Sequence, residues 1–306
     1  MDLKLPQKFF SLKGGKMFKG VYTAIVTPFD ENNKIDFKSL EKLIDFQNNS
    51  KINGLVVCGS TGEASALDDE EYIDVINFVV EKSKNKKKVI VGFGTNSTKK
   101  TLRHLEKINE IKLDAILVIV PYYNKPTPTG IIEHFKAISA NSKHKIIIYN
   151  IPSRTGVNAP PSVISELSKL KNIVGIKEAS GNLEQISEIA RTCDKNFSIL
   201  SGDDTLTLPI MSVGGHGVIS VASNIIPDEI SDMCMEFEKG NIKKAIEIHQ
   251  KYFQFIKSMF IETNPIPIKY ILKKKNIIKN DSLRLPLTKI LPENAKKIDK
   301  IMQEIL

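Results

Sequence analysis

The run Asn172-Ile173-Val174-Gly175-Ile176-Lys177-Glu178 sets a single lysine at the end of an apolar stretch. In an α/β protein such a stretch reads as a parallel strand, buried on both faces. Side chains alternate along a strand, so Ile173, Gly175 and Lys177 are predicted on one face, with Val174 and Ile176 on the other. A lysine in that setting is costly to keep charged. Burial favours the neutral amine, which can attack a carbonyl and form a Schiff base. The plain alternative is a lysine that leaves the strand end and reaches water. The rest of the chain decides between the two.

Outward from this stretch one alternation repeats. Apolar, β-rich runs occur at 21–27, 54–58, 88–94, 115–120, 145–150, 172–177, 197–201 and 217–221. Amphipathic segments of helical period lie between most of them, as in 39–48 (Leu40, Leu43, Ile44, Phe46) and 69–83 (Tyr72, Ile73, Ile76, Val80). Strands alternating with helices imply parallel βαβ units, and eight of them predict a (β/α)8 TIM barrel. A doubly wound sheet would need a glycine-rich phosphate turn after its first strand, and Thr27-Pro28-Phe29-Asp30 is not one. The predicted layout is a poorly ordered extension over 1–16, a catalytic barrel over 17–240 and a C-terminal helical appendage over 241–306. The appendage carries candidate helices at 242–259, 267–275 and 292–305.

Composition narrows the function classes. The 306 residues carry a net charge of +9, much of it in short lysine blocks at 82–88 and 273–275. These blocks lack interleaved aromatic residues for base stacking, so the reading is no nucleic acid; anionic small substrates suit the positive field equally well. No stretch has the length of a membrane span, and residues 1–16 lack the apolar core of a signal peptide. Cys58, Cys193 and Cys234 are odd in number and show no CxxC spacing, which fits free thiols in a cytoplasmic protein. The five histidines show no HxxxH or HExxH spacing, so no metal and no cofactor is predicted.

In a barrel the chemistry sits at the C-terminal ends of the strands. After the second strand comes Gly59-Ser60-Thr61-Gly62-Glu63, two hydroxyls and several N–H groups in a glycine-rich turn, suited to a carboxylate or simply to capping a helix. After the fourth comes Pro121-Tyr122-Tyr123-Asn124-Lys125-Pro126. The fifth ends in Tyr149-Asn150 and runs into Ile151-Pro152-Ser153-Arg154-Thr155-Gly156. Alternation points Tyr149 into the barrel with Ile147, near Lys177, where a phenol can relay a proton. Arg154 is a candidate clamp for a carboxylate. Gly202-Asp203-Asp204 follows the seventh strand and Gly214-Gly215-His216-Gly217 precedes the eighth. Together these groups describe a class I aldolase acting on a 2-oxo acid: an imine-forming lysine, proton-relay phenols and hydroxyls, and two carboxylate cradles.

These motifs, in this order and spacing, resemble the dihydrodipicolinate synthase / N-acetylneuraminate lyase family from Phe18 to Lys275. The resemblance implies a lysine–pyruvate imine on Lys177 with Tyr149 as central acid/base, Ser60 in the proton relay, and Thr61 on the pyruvate carboxylate. Gly202 and Ile219 match backbone positions lining the site. Tyr123 matches the tyrosine that crosses a tight-dimer interface to complete a neighbour's relay, which implies a homotetramer built of tight dimers. Arg154 and the Tyr122-Tyr123 loop resemble the synthase members, which condense pyruvate with aspartate semialdehyde in lysine and diaminopimelate synthesis. The alternative is a lyase or aldolase acting on a sugar-derived keto acid. Ser60 stands where many synthases have threonine, a Ser-Thr pair that is also lyase-like. At the family's lysine-inhibition pocket the alignment puts Asp69 and Tyr72 at histidine positions and Lys100 at a glutamate position, with Asn96 and Tyr122 retained. Lys100 would repel the ammonium of lysine, so weak or absent inhibition by lysine is expected.

Overall fold

The computed structural model describes residues 18–84 and 86–305; the predicted extension over 1–16 lies outside them. Eight parallel strands close into one barrel in sequence order: β1 Gly20–Ala24, β2 Gly54–Val57, β3 Lys88–Phe93, β4 Ala115–Ile119, β5 Ile146–Asn150, β6 Ile173–Glu178, β7 Ser198–Ser201 and β8 Gly217–Ser220. Helices α1 Phe37–Asn48, α2 Asp69–Ser83, α3 Thr98–Ile108, α4 Pro128–Asn141, the short α5 Pro152–Thr155, α6 Pro161–Leu167, α7 Leu183–Thr192, α8 Thr207–Ser212 and α9 Pro227–Glu238 connect or follow the strands. Three more, α10 Ile242–Ser258, α11 Ile266–Lys274 and α12 Pro292–Ile305, form the C-terminal region. The predicted (β/α)8 TIM barrel with a C-terminal helical appendage is therefore the observed fold.

Each strand has two faces to bury. Outward residues such as Ile146, Ile148 and Ile176 pack under the helices, while Tyr22, Val56, Ile90, Leu117, Ile147, Leu200 and Ile219 fill the barrel interior. Helix starts are set by local hydrogen bonding. Asp68 and Glu71 form a reciprocal capping box on α2, and Thr127 caps α4, where Pro128 takes the first turn.

Two expectations shift. The first strand ends at Ala24, short of the predicted 27. Beyond it Ile25 N makes one more backbone bond, to the Val56 carbonyl (3.1 Å), and side chains then hold the chain, with Val26 N donating to Asn224 Oδ1 and Thr27 Oγ1 donating to the Gly62 carbonyl. In β6 the facing of Ile173 and Val174 is the reverse of simple alternation. The β5–β6 register slips between Ile146 and Ile147, so Ile147 pairs with Gly175 and not with Val174. That extra residue turns Ile173 outward beside Ile176 and leaves Val174 against the interior cluster, while Gly175 and Lys177 keep their predicted common face. Gly175 is required here: a Cβ would sit 2.6 Å from the Ser198 carbonyl oxygen.

Candidate active site

The C-terminal mouth of the barrel opens into a cavity of about 480 Å³. Ser60, Thr61, Tyr122, Tyr149, Arg154 and Lys177 line it, together with Thr263, Asn264 and Arg284 from the C-terminal region.

Lys177 and Tyr149 are direct neighbours across the β5–β6 ladder. Both are buried, and Lys177 Nζ lies 4.2 Å from the centroid of the Tyr149 ring. Among the described residues no carboxylate pairs with Lys177, and its nitrogen rests on the face of a phenol. Gly202 makes room for it: a Cβ there would stand 3.1 Å from Lys177 Cε and 2.7 Å from the Ala179 Cβ. Ile219 is buried in the interior cluster with Tyr149 and Leu200. One residue beyond the lysine, Glu178 points outward into a closed network. It accepts from Asn150 Nδ2 (3.0 and 3.1 Å), Ser180 N (2.7 Å) and Gln185 Nε2 (3.2 Å), while burial pushes its carboxyl up from the ordinary carboxylate range. These bonds tie the ends of β5 and β6 together directly behind Lys177 and Tyr149.

On the opposite side, Gly59-Ser60-Thr61-Gly62-Glu63 folds back on itself, with Gly62 N donating to the Gly59 carbonyl (3.1 Å) and Glu63 N to the Ser60 carbonyl (3.2 Å). Residues on both sides of the turn, Cys58 (φ 53°) and Glu63 (φ 52°), adopt the left-handed conformation that non-glycine residues avoid. Such backbone persists only where the surroundings over-determine it. Here they do. Glu63 is buried in an ion pair with the fully buried Lys269 of α11 and accepts from Arg284 N at 3.2 Å. Lys269 Nζ also donates to the Ser282 carbonyl (2.9 Å), and burial brings its pKa down to about 8. Arg284 forks onto Glu71 and donates to the carbonyls of Asn33 and Ala66. Both cations lie close to the Phe29 ring, whose centroid is 4.1 Å from Lys269 Nζ and 4.4 Å from Arg284 Cζ.

Asn264 joins the two sides. Its Nδ2 donates to Thr61 Oγ1 at 2.9 Å, and its backbone carbonyl accepts from Arg154 Nη2 at 3.2 Å. Of the residues expected from sequence, Ser60, Thr61, Tyr149, Arg154 and Lys177 meet in one cavity, with Gly202 and Ile219 packed around it. Tyr123 does not join them within the chain: its ring is 86% exposed, at a left-handed backbone position (φ 73°). Sequence reasoning missed Asn264, Lys269 and Arg284. Lys269 carried a usable signal, since it is a lone lysine inside Ile266-Pro267-Ile268-Lys269-Tyr270-Ile271-Leu272, the same pattern that singled out Lys177.

Comparisons with known proteins identify the family. The model of the dihydrodipicolinate synthetase family matches residues 17–305. The chain is 46% identical to the 4-hydroxy-tetrahydrodipicolinate synthase of Endomicrobium trichonymphae, over 94% of this chain and 98% of that protein. It is 48% identical to the enzyme of the same name from Alkaliphilus oremlandii, over 92% of this chain and 97% of that one. A solved dihydrodipicolinate synthase from Aquifex aeolicus superposes with a TM-score of 0.91 at 41% identity, covering 94% of this chain and 98% of that one.

Proposed function

This chain belongs to the dihydrodipicolinate synthetase family, and we propose that its barrel condenses pyruvate with L-aspartate 4-semialdehyde to give 4-hydroxy-tetrahydrodipicolinate, in lysine and diaminopimelate synthesis. The observation that carries this reading is the juxtaposition of Lys177, Tyr149, Thr61 and Arg154 in one cavity. Lys177 Nζ attacks the keto carbon of pyruvate, and water leaves as the imine forms. Tyr149, stacked on that nitrogen, is placed to move the proton from the methyl group that yields the enamine. The enamine carbon bonds to the aldehyde carbon, whose oxygen takes a proton and becomes the 4-hydroxyl. The amine of the semialdehyde then adds to the imine carbon, closes the ring and releases Lys177. The Thr61 hydroxyl and the neighbouring turn hold the pyruvate carboxylate, Ser60 supplies a second hydroxyl to the proton relay, and Arg154 holds the carboxylate of the semialdehyde.

Two further parts of the reading rest on the surface. Tyr123, exposed beside the mouth, is available to a neighbouring copy, which supports a tight dimer as the active unit and a tetramer of such dimers. At the family's inhibition pocket, Tyr72 already donates its hydroxyl to the Gly92 carbonyl (2.7 Å), and Lys100 contributes a positive charge. Both support weak or absent inhibition by lysine. Inhibition at sub-millimolar lysine would refute that part.

The test is pyruvate consumption with aspartate semialdehyde and with N-acetylmannosamine in parallel, with Lys177→Ala as control. Turnover with the semialdehyde alone, lost in the control and selectively impaired by Arg154→Ala, is the expected result. Turnover with the sugar would move the chain to the lyases. Failure of borohydride and pyruvate to label the wild-type protein would remove the imine altogether.

A further inference from the structure

We propose that Asn264 and Lys269 are positioning residues of the pyruvate-carboxylate subsite, through which the α11 segment grips the β2 turn and fixes the direction in which the Thr61 hydroxyl donates. This rests on the proposed reading of Thr61 as the carboxylate donor.

The geometry is a two-point grip. Asn264, just before α11, and Lys269, in its first half, are five residues apart and hold Thr61 and Glu63, two residues apart on the turn. A threonine hydroxyl has one proton to give. Because Asn264 Nδ2 donates to Thr61 Oγ1, that proton is left free for a ligand in the cavity. An acceptor at the same place would take the proton and leave the cradle without its hydroxyl donor. The other half of the Asn264 amide points to the same conclusion. Its Oδ1 is buried with no hydrogen-bond partner among the described residues, a cost that an apolar residue of similar shape would avoid. The grip on Glu63 acts on the backbone. The left-handed residue that closes the turn is held by a buried cation, so the N–H groups around Ser60 and Thr61 keep one arrangement before any ligand arrives.

The contact with Arg154 separates positioning from general stability. It uses the backbone carbonyl of Asn264, which survives replacement of the side chain. An Asn264→Ala enzyme therefore keeps its semialdehyde clamp and loses only its hold on Thr61. The proposed reaction is ping-pong, with pyruvate bound first as the imine, so the two specificity constants report on the two subsites separately. For Asn264→Ala we expect kcat/KM for pyruvate to fall about tenfold, the size of one lost hydrogen bond of about 1.4 kcal/mol, while kcat/KM for the semialdehyde stays within about twofold. Asn264→Asp, nearly isosteric but an acceptor, should lose more for pyruvate than the alanine variant, because it takes the Thr61 proton and sets a carboxylate beside a carboxylate.

Borohydride trapping of the imine over a range of pyruvate concentrations measures the same subsite without the second substrate. Half-maximal trapping should shift upward by the same factor as kcat/KM. Wild-type protein that traps no imine would defeat the proposed reaction. Wild-type protein that traps and turns over, with variants whose two specificity constants fall together or whose trapping midpoint stays put, would leave the reaction intact and overturn the positioning role. If Lys269→Met fails to accumulate as folded protein, the charge-neutral pair Glu63→Gln with Lys269→Met takes its place. Its kcat/KM for pyruvate should fall more than that for the semialdehyde, and an unchanged ratio of the two would count against the grip on Glu63.

Discussion

The lysine side of the cavity and the carboxylate side are built on different principles. Tyr149 and Lys177 project from paired strands, and their approach is set by the β5–β6 register and by the Glu178 network behind it. Thr61 sits on a turn, and its partner Asn264 lies 203 residues further along the chain. One side is held by the ladder of the sheet, the other by side chains reaching in from the C-terminal region. On the proposed reading, the group that would form and break bonds is thus on a paired strand, while the groups that would recognise a carboxylate are on a turn whose shape is imposed from outside.

The sharpest way to break the strand-borne side is at Tyr149. Tyr149→Phe keeps the ring against Lys177 and removes only the hydroxyl. We expect turnover to fall by about 10²–10⁴, the usual worth of a positioned proton donor, with imine trapping retained. Loss of trapping would mean that the ring, not the hydroxyl, is what Lys177 needs.

The braced side should answer first in stability. Removing one partner of a buried ion pair strands the other, so Lys269→Met is expected to cost about 3–5 kcal/mol in chemical denaturation. A loss below about 1 kcal/mol would show that Glu63 finds other partners and that the turn does not depend on α11.

A third prediction tests how far the ladder really holds the strand-borne side. The β7–β8 seam pairs only Ser201 with Val218. It is pinned by the fully buried Asp204, which accepts from the Ser220 hydroxyl, Val221 N (2.9 Å) and Ala222 N (3.4 Å). Burial raises the pKa of this carboxyl from 3.8 to about 6. The folded protein then keeps a proton that the unfolded chain has released, so this group's contribution to stability falls as pH rises from about 4 to about 6 and is flat beyond. The whole window is worth roughly 3 kcal/mol. Asp204→Asn should flatten the slope between those limits. An unchanged slope would place the titration elsewhere, for instance on Glu178, whose carboxyl burial also raises, and not on His134, whose pKa burial lowers to about 4 and whose effect has the opposite sign, with stability lost as pH falls from 6.5.

The same contrast governs what could be read in the sequence. The barrel, Lys177, Tyr149 and the Arg154 turn were legible because period-two and helical patterns are local, and because chemistry in such a barrel collects at strand ends. The β5–β6 bulge was not legible, since nothing in Lys145-Ile146-Ile147-Ile148 says where the register slips. Asn264 and Arg284 were hidden for a different reason. They sit in connecting segments that showed no periodicity, and their roles arise only when the chain closes back on a turn far away. Tyr123 could be placed on its loop, yet the role proposed for it needs a second copy of the chain.

The brace on the carboxylate turn also orders events during synthesis. A ribosome delivers the chain from its N-terminus at about 5–20 residues per second. The last strand ends at Ser220, and Arg284 follows roughly 60 residues later, on the order of 3–12 seconds at that pace. During that interval the nascent barrel can already present Lys177 against Tyr149 while the turn carrying Ser60 and Thr61 is still unbraced. On the proposed reading, the nucleophile is in place before the carboxylate cradle that would select its substrate.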